Sequence, residues 1–226
     1  MSEQRPDTGG STSVSSLPAA CRAAAARWRS CRSVRLDDAT PTSLATIVGS
    51  YIRHYRPPAE AELEFYAALP SKTVAIEWAG LAKRPDGKRH DHQKRIPLEV
   101  LREAHTRLGT LKLETYSTFD ALQGAVGDAI GAIHGVGELM VYDASVRIGA
   151  KLNLQPDFVY LHAGTRLGAQ ALGLPTALGR LEVAQLPSAF RPLSAREIED
   201  CLCIYKSQLA ELRPAGLTQR YANSPR

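Results

Sequence analysis

The chain has 226 residues, 44% of them hydrophobic, with 28 Lys and Arg against 23 Asp and Glu and a net charge of +5. That length and apolar content support one core of ordinary size with a small appendage, and they exclude a chain disordered throughout. The basic balance favours a polyanionic partner without requiring one.

Residues 1–18 are rich in Ser, Thr, Gly and Pro and offer no apolar face, and 19–35 shift to Ala and Arg around Trp28. The stretch 1–38 is therefore expected to be a disordered or weakly helical basic leader, of a composition also met in organelle transit peptides. Residues 39–215 are expected to form an α-helical domain, with 216–226 a flexible tail.

Helical signals begin after Pro41. Leu44, Ile47, Val48, Tyr51 and Ile52 recur at helical spacing within 43–55, and Pro57-Pro58 opens a second helix over 59–69. Ser71 is a cap for 71–82, whose Val74, Ile76, Trp78 and Leu81 make one broad apolar side. A basic loop over 83–95 follows, with a turn at Pro85-Asp86-Gly87. Beyond it Pro97 starts a helix that breaks near Gly109.

Ser117 or Thr118 caps a helix carrying Phe119, Leu122, Val126, Ile130 and Ile133, which stops at a hairpin over 134–137. The next helix starts at Glu138 and ends near Asn153. Residues 157–162 read as a short helix or an extended piece, and 164–172 as a small Ala- and Gly-rich helix able to pack closely. Ser194-Ala195-Arg196-Glu197 is a capping box for a final helix to about Leu212. No strand series appears, so the fold class is all-α.

Four cysteines, Cys21, Cys31, Cys201 and Cys203, form no Cys-x-x-Cys pair and stand at no ligand spacing from a histidine. No metal, cofactor or disulfide framework is expected. With no apolar run near the roughly 18 residues of a span and no secretory segment, a cytoplasmic protein without membrane contact is expected.

Gly135-Val136-Gly137 carries the strongest functional signal. Glycine reaches positive φ and lets a partner approach the backbone, and the first amides of the following helix are unpaired at the positive end of its dipole. An ordinary helix-helix turn has the same local pattern. Residues 130–149 resemble the helix-hairpin-helix motif of DNA-repair and recombination proteins, which implies backbone contacts to duplex DNA. His134 stands where the motif commonly has proline, and Val141 where it has a small residue.

The resemblance extends to base-excision DNA glycosylases of that superfamily, which carry a catalytic aspartate after the hairpin. Asp143, in Asp143-Ala144-Ser145-Val146-Arg147, is the matching carboxylate, although it is closer to the hairpin than the family pattern has it. Its plain alternative is a helix residue paired with Arg147 at i+4. Leu139 occupies the position of the lysine that bifunctional members use, so the resemblance implies a monofunctional enzyme.

Such an enzyme needs a flipped base, a carboxylate near the sugar and groups that hold the phosphate backbone. Gly135, Val136 and Gly137 are the candidate amides. Lys88, Arg89, Lys94, Arg95 and Arg166 are the candidate phosphate partners. His90, His92, Tyr142 and His162 are candidates for base contact or proton transfer. Two other functions fit the same residues: a non-catalytic DNA-binding module, and an enzyme for a small phosphate-containing ligand.

Overall fold

The computed structural model of the protein describes residues 12–32 and 42–212. The Ser- and Pro-rich start of the expected leader, through residue 11, and the expected tail at 216–226 lie outside the described residues. Among the described residues there are ten α-helices and one two-stranded sheet, so the chain is mostly helical.

The first helix corrects the expected leader. Residues Ala19–Arg32 form α1, with Cys21, Ala24, Ala25 and Trp28 buried against α3, Arg56–Ala68. Small side chains at helical spacing let the two helices approach closely, while the arginines stay at the surface. Arg32 and Arg84 lie over the Trp28 ring at 4.9 and 5.4 Å, so part of the local positive charge is spent on an aromatic face.

Helix α2, Leu44–His54, starts at a capping box in which Ser43 and Thr46 satisfy each other's backbone amides. It is followed almost at once by α3. Helix α4, Lys72–Gly80, is capped by Ser71; α5, Leu98–Leu108, begins directly after Pro97; and α6, Phe119–Ile130, is capped by Thr118. Helix α7, Glu138–Leu152, ends at Asn153, whose φ of 56° is the left-handed conformation that asparagine tolerates.

Strand β1, Phe158–Tyr160, pairs antiparallel with β2, Arg180–Glu182, setting Val159 opposite Leu181. This small sheet is absent from the all-α expectation, because its two strands are three residues long and too short to show a period. Between them lies α8, Ala163–Ala171. The expected last helix is two helices, α9, Ala195–Ile204, and α10, Lys206–Glu211, separated at Tyr205.

Two apolar cores result. One is built by α1 and α3 to α7, with Phe65, Tyr66, Trp78, Leu101, Leu122 and Ile148 at its centre. The other joins α2, the sheet and α8 to α10 around Ile47, Tyr51, Val159, Phe190, Ile198 and Leu202. Phe119 and Tyr142 from the first half meet Tyr160 from the second, with ring centroids 5.6 to 6.3 Å apart. The Arg56 to Glu197 ion pair ties the halves on another side.

Candidate active site

A cavity of about 440 Å³ opens between the two halves, and its walls carry Glu62, His90, His92, Asp143, His162, Glu199, Asp200 and Cys203. Asp143 reaches it because α7 turns Leu139 and Asp143, four residues apart, to the same face while Met140, Ala144 and Ile148 enter the first core. Glu199 and Cys203 are likewise four apart on α9, whereas Cys201 points into the second core. His162 stands at the N-cap of α8, two residues after the end of β1.

Asp143 is anchored through one oxygen. His92 Nε2 lies 2.7 Å from Oδ2, Gln93 Nε2 donates to the same atom at 2.9 Å, and Arg147 approaches it at 3.4 Å. No hydrogen bond reaches Oδ1 among the described residues, so that atom is available to the cleft. Burial opposes its charge, but Arg147, His92 and His90 outweigh burial and hold the carboxyl below its ordinary range. Arg147 is only 4% exposed and also contacts Glu62 and Gln93.

The opposite wall repeats the arrangement. Tyr51 and Arg196 both donate to Asp200 Oδ2, at 2.8 and 2.7 Å, and leave Oδ1 unbonded among the described residues. Burial, with Glu199 and Asp143 nearby, raises Asp200 to about 7 against the pull of Arg196 and Tyr51. Glu199 Oε1 accepts from Thr165 Oγ1 at 2.7 Å and from His162 Nε2, while its Oε2 is unbonded among the described residues. Burial alone would lower His162, yet Glu199 raises it.

The Sγ of Cys203 completes a trio with His162 and Glu199, whose donor atoms all lie within 4.8 Å of one another. Sequence spacing separated every cysteine from a histidine; the contact between α8 and α9 removes that separation. Gly164 makes the approach possible, since a Cβ there would stand 2.6 Å from Cys203 Sγ.

The basic segment is ordered. Lys83 and Arg89 form an isolated β-bridge around the predicted turn, with Gly87 at a φ of 81°. Arg84 is buried between Asp86 and Asp91, Arg89 donates to the Ile96 carbonyl, and Lys94 pairs with Asp91. Lys88 and Arg95 are exposed. His90 is not on a flexible loop as expected: it is 6% exposed with Nε2 3.2 Å from Glu62 Oε1. Burial and Arg147 lower its pKa.

The hairpin joins α6 to α7, with Gly135 at a φ of 93° and Gly137 as the N-cap. The Val136 amide already donates to the Ile133 carbonyl, which takes it off the expected set of anion donors. The amides of Gly135 and of 137–139 form no backbone bond among the described residues. Val136, Gly137 and Glu138 border a second cavity, of about 470 Å³, that shares His162 with the cleft.

Arg166 is half-buried rather than free, donating to the Leu161 and Thr176 carbonyls beside Glu138. Thr165, in the first turn of α8, is buried and donates to Glu199. Tyr142 borders the second cavity with its hydroxyl buried and, among the described residues, without a hydrogen bond.

Protein-family models, curated proteins and solved structures give no significant match to this chain. No helix among the described residues is long and apolar enough to cross a membrane.

Glu62, Gln93, Glu199, Asp200 and Cys203 were absent from the sequence candidates. Only Glu199 and Cys203, four apart on a predicted helix, carried a local signal, and it gained meaning when His162 arrived from α8.

Proposed function

We propose that the protein is a monofunctional glycosylase-like enzyme that binds duplex DNA and hydrolyses the bond between a damaged or modified base and its sugar. The observation that carries this reading is the unbonded Oδ1 of Asp143 in the interlobe cleft, on the same helix that the Gly135 to Gly137 hairpin opens. An ionised carboxylate there stabilises positive charge growing on the sugar as its C–N bond breaks. The water oxygen then bonds to the sugar carbon, and the base leaves with the bond's electron pair and takes up a proton.

A cleft of this size between two halves accommodates one extruded base, with His90, His92 and His162 on its walls and Tyr142 on the adjoining second cavity. Free amides of the hairpin and the exposed Lys88 and Arg95 serve the phosphates; Val100, five residues after Arg95, lies against Gly135. A reducing, cytoplasmic setting belongs to this reading and agrees with four unpaired cysteines.

The test is base release from duplexes carrying deaminated, oxidised or alkylated bases, alongside duplex affinity measured against salt. Wild-type protein releases a base and loses affinity steeply as salt rises, whereas Asp143→Asn binds without release. Steep salt dependence with no release by wild-type protein leaves a binding module in place of an enzyme. A flat salt response overturns both.

A further inference from the structure

We propose that His162, Glu199 and Cys203 form a binding site for a divalent transition-metal ion, with zinc as its natural occupant and one coordination position open to the cleft. The three supply one nitrogen, one oxygen and one sulfur, all within 4.8 Å of each other. Bonds of about 2.0–2.3 Å to a tetrahedral ion place ligand atoms roughly 3.5 Å apart, so Cys203 Sγ closes in slightly while the hydrogen-bonded His162 Nε2 and Glu199 Oε1 part to admit the ion. A mixed imidazole, carboxylate and thiolate set suits zinc and disfavours magnesium or calcium, which take oxygen ligands.

The fold holds these donors in place. Glu199 and Cys203 share a face of α9, and His162 is fixed at the head of α8 by the strand before it. Glycine at 164 leaves room for the sulfur, and Gly168 lets the α8 backbone rest on Leu202. Thr165 Oγ1, 2.7 Å from Glu199 Oε1, orients the carboxylate as an outer partner.

An open position follows from access. All three residues border the 440 Å³ cleft, so water or a substrate oxygen can become the fourth ligand, the pattern of catalytic rather than structural zinc. The Tyr142 hydroxyl is a second, independent sign of a missing partner. It is buried without a hydrogen bond among the described residues, its ring lies 6.1 Å from that of His162, and it borders a smaller cavity together with Glu199. Entry of the ion releases the Cys203 thiol proton and any proton shared by His162 and Glu199.

This site needs no nucleic acid, so it stands or falls apart from the glycosylase reading. The experiment treats chelator-stripped full-length protein with Co²⁺ and then titrates in Zn²⁺. Expected are the visible bands of tetrahedral cobalt, a near-ultraviolet thiolate-to-cobalt band saturating at one equivalent, and their loss as zinc displaces cobalt. Cys203→Ser, a near-isosteric change, abolishes the thiolate band. His162→Ala weakens zinc binding by a hundredfold or more.

Absence of stoichiometric binding to wild-type protein overturns the proposal without any variant. So does a thiolate band that persists in Cys203→Ser, which would assign it to Cys21, Cys31 or Cys201.

Discussion

His92 Nε2 lies 2.7 Å from Asp143 Oδ2, joining residues 51 apart in sequence across the wall of the cleft. With Gln93 and Arg147 on the same oxygen, the carboxylate of this cleft-lining residue is fixed in orientation while its other oxygen carries no hydrogen bond among the described residues. Asp143→Asn is expected to remain folded and to lose base release. Buried Arg147 loses one counter-charge but keeps Glu62 and Gln93, so the stability loss is about 1–3 kcal/mol, read from the urea midpoint. Base release unchanged in Asp143→Asn removes the residue from the mechanism.

The two hairpin glycines separate conformation from contact. Gly135 has a φ of 93°, and Gly135→Ala strains the turn by about 1–2 kcal/mol although its nearest neighbour would be an ordinary 3.8 Å from the new Cβ. Gly137 has a φ of −104°, and a Cβ added there would meet no atom within 4 Å, so Gly137→Ala is unstrained and costs only about 0.5–1 kcal/mol, alanine being the poorer N-cap. If backbone at the hairpin meets phosphate, Gly137→Ala nonetheless weakens duplex binding. Equal affinity of wild type and Gly137→Ala argues against close approach there.

Local chemistry made most helices legible. Ser71, Thr118 and Ser194 accept their predicted capping bonds, Ser43 adds one that was not expected, and Asn153 ends α7. Helix α1 was hidden because alanines give a weak apolar period, and its face became a core surface only when α3 supplied a matching one. The site was half legible. Asp143, His90, His92 and His162 stood out by residue type, but Glu62 and Asp200 lie on helices whose approach is set by tertiary packing. Nothing within a local window marks that approach.

Two separate contributions to stability are expected to be lost in acid. Burial and Arg147 keep His90 below its ordinary pKa, so the stability tied to its neutral form is present above roughly pH 6.5 and declines as the pH falls from there. Glu77 and Glu197 are held low, against burial, by Lys83 with Thr12 and by Arg56 with Ser194. Their contribution is present above the ordinary carboxylate range and disappears below roughly pH 4. Asp200 and His162, both raised, act in the opposite sense and gain stability as the pH falls through about 7, so the His90 contribution is read as the difference between wild type and His90→Gln in thermal unfolding from pH 8 to 5, ahead of the steep loss below roughly pH 4. A difference that does not shrink as the pH falls below roughly 6.5 assigns the effect elsewhere.

Packing of α8 on α9 gives the sharpest contrast between helix propensity and tertiary contact. Alanine is the better helix former by about 1 kcal/mol, and at exposed Gly124 in α6 a Cβ would meet nothing within 4 Å. Gly124→Ala is therefore expected to stabilise the protein by about 0.5–1 kcal/mol. At Gly168 the same Cβ would lie 2.1 Å from the Leu202 carbonyl oxygen, and backbone cannot swing away as a side-chain tip can. Relief requires α8 and α9 to separate, loosening the second core around Ala169 and Leu202. The expected loss for Gly168→Ala is about 2–3 kcal/mol, well beyond the propensity gain. Paired unfolding curves decide it: opposite signs for the two substitutions support the close helix contact, and a stabilised Gly168→Ala refutes it.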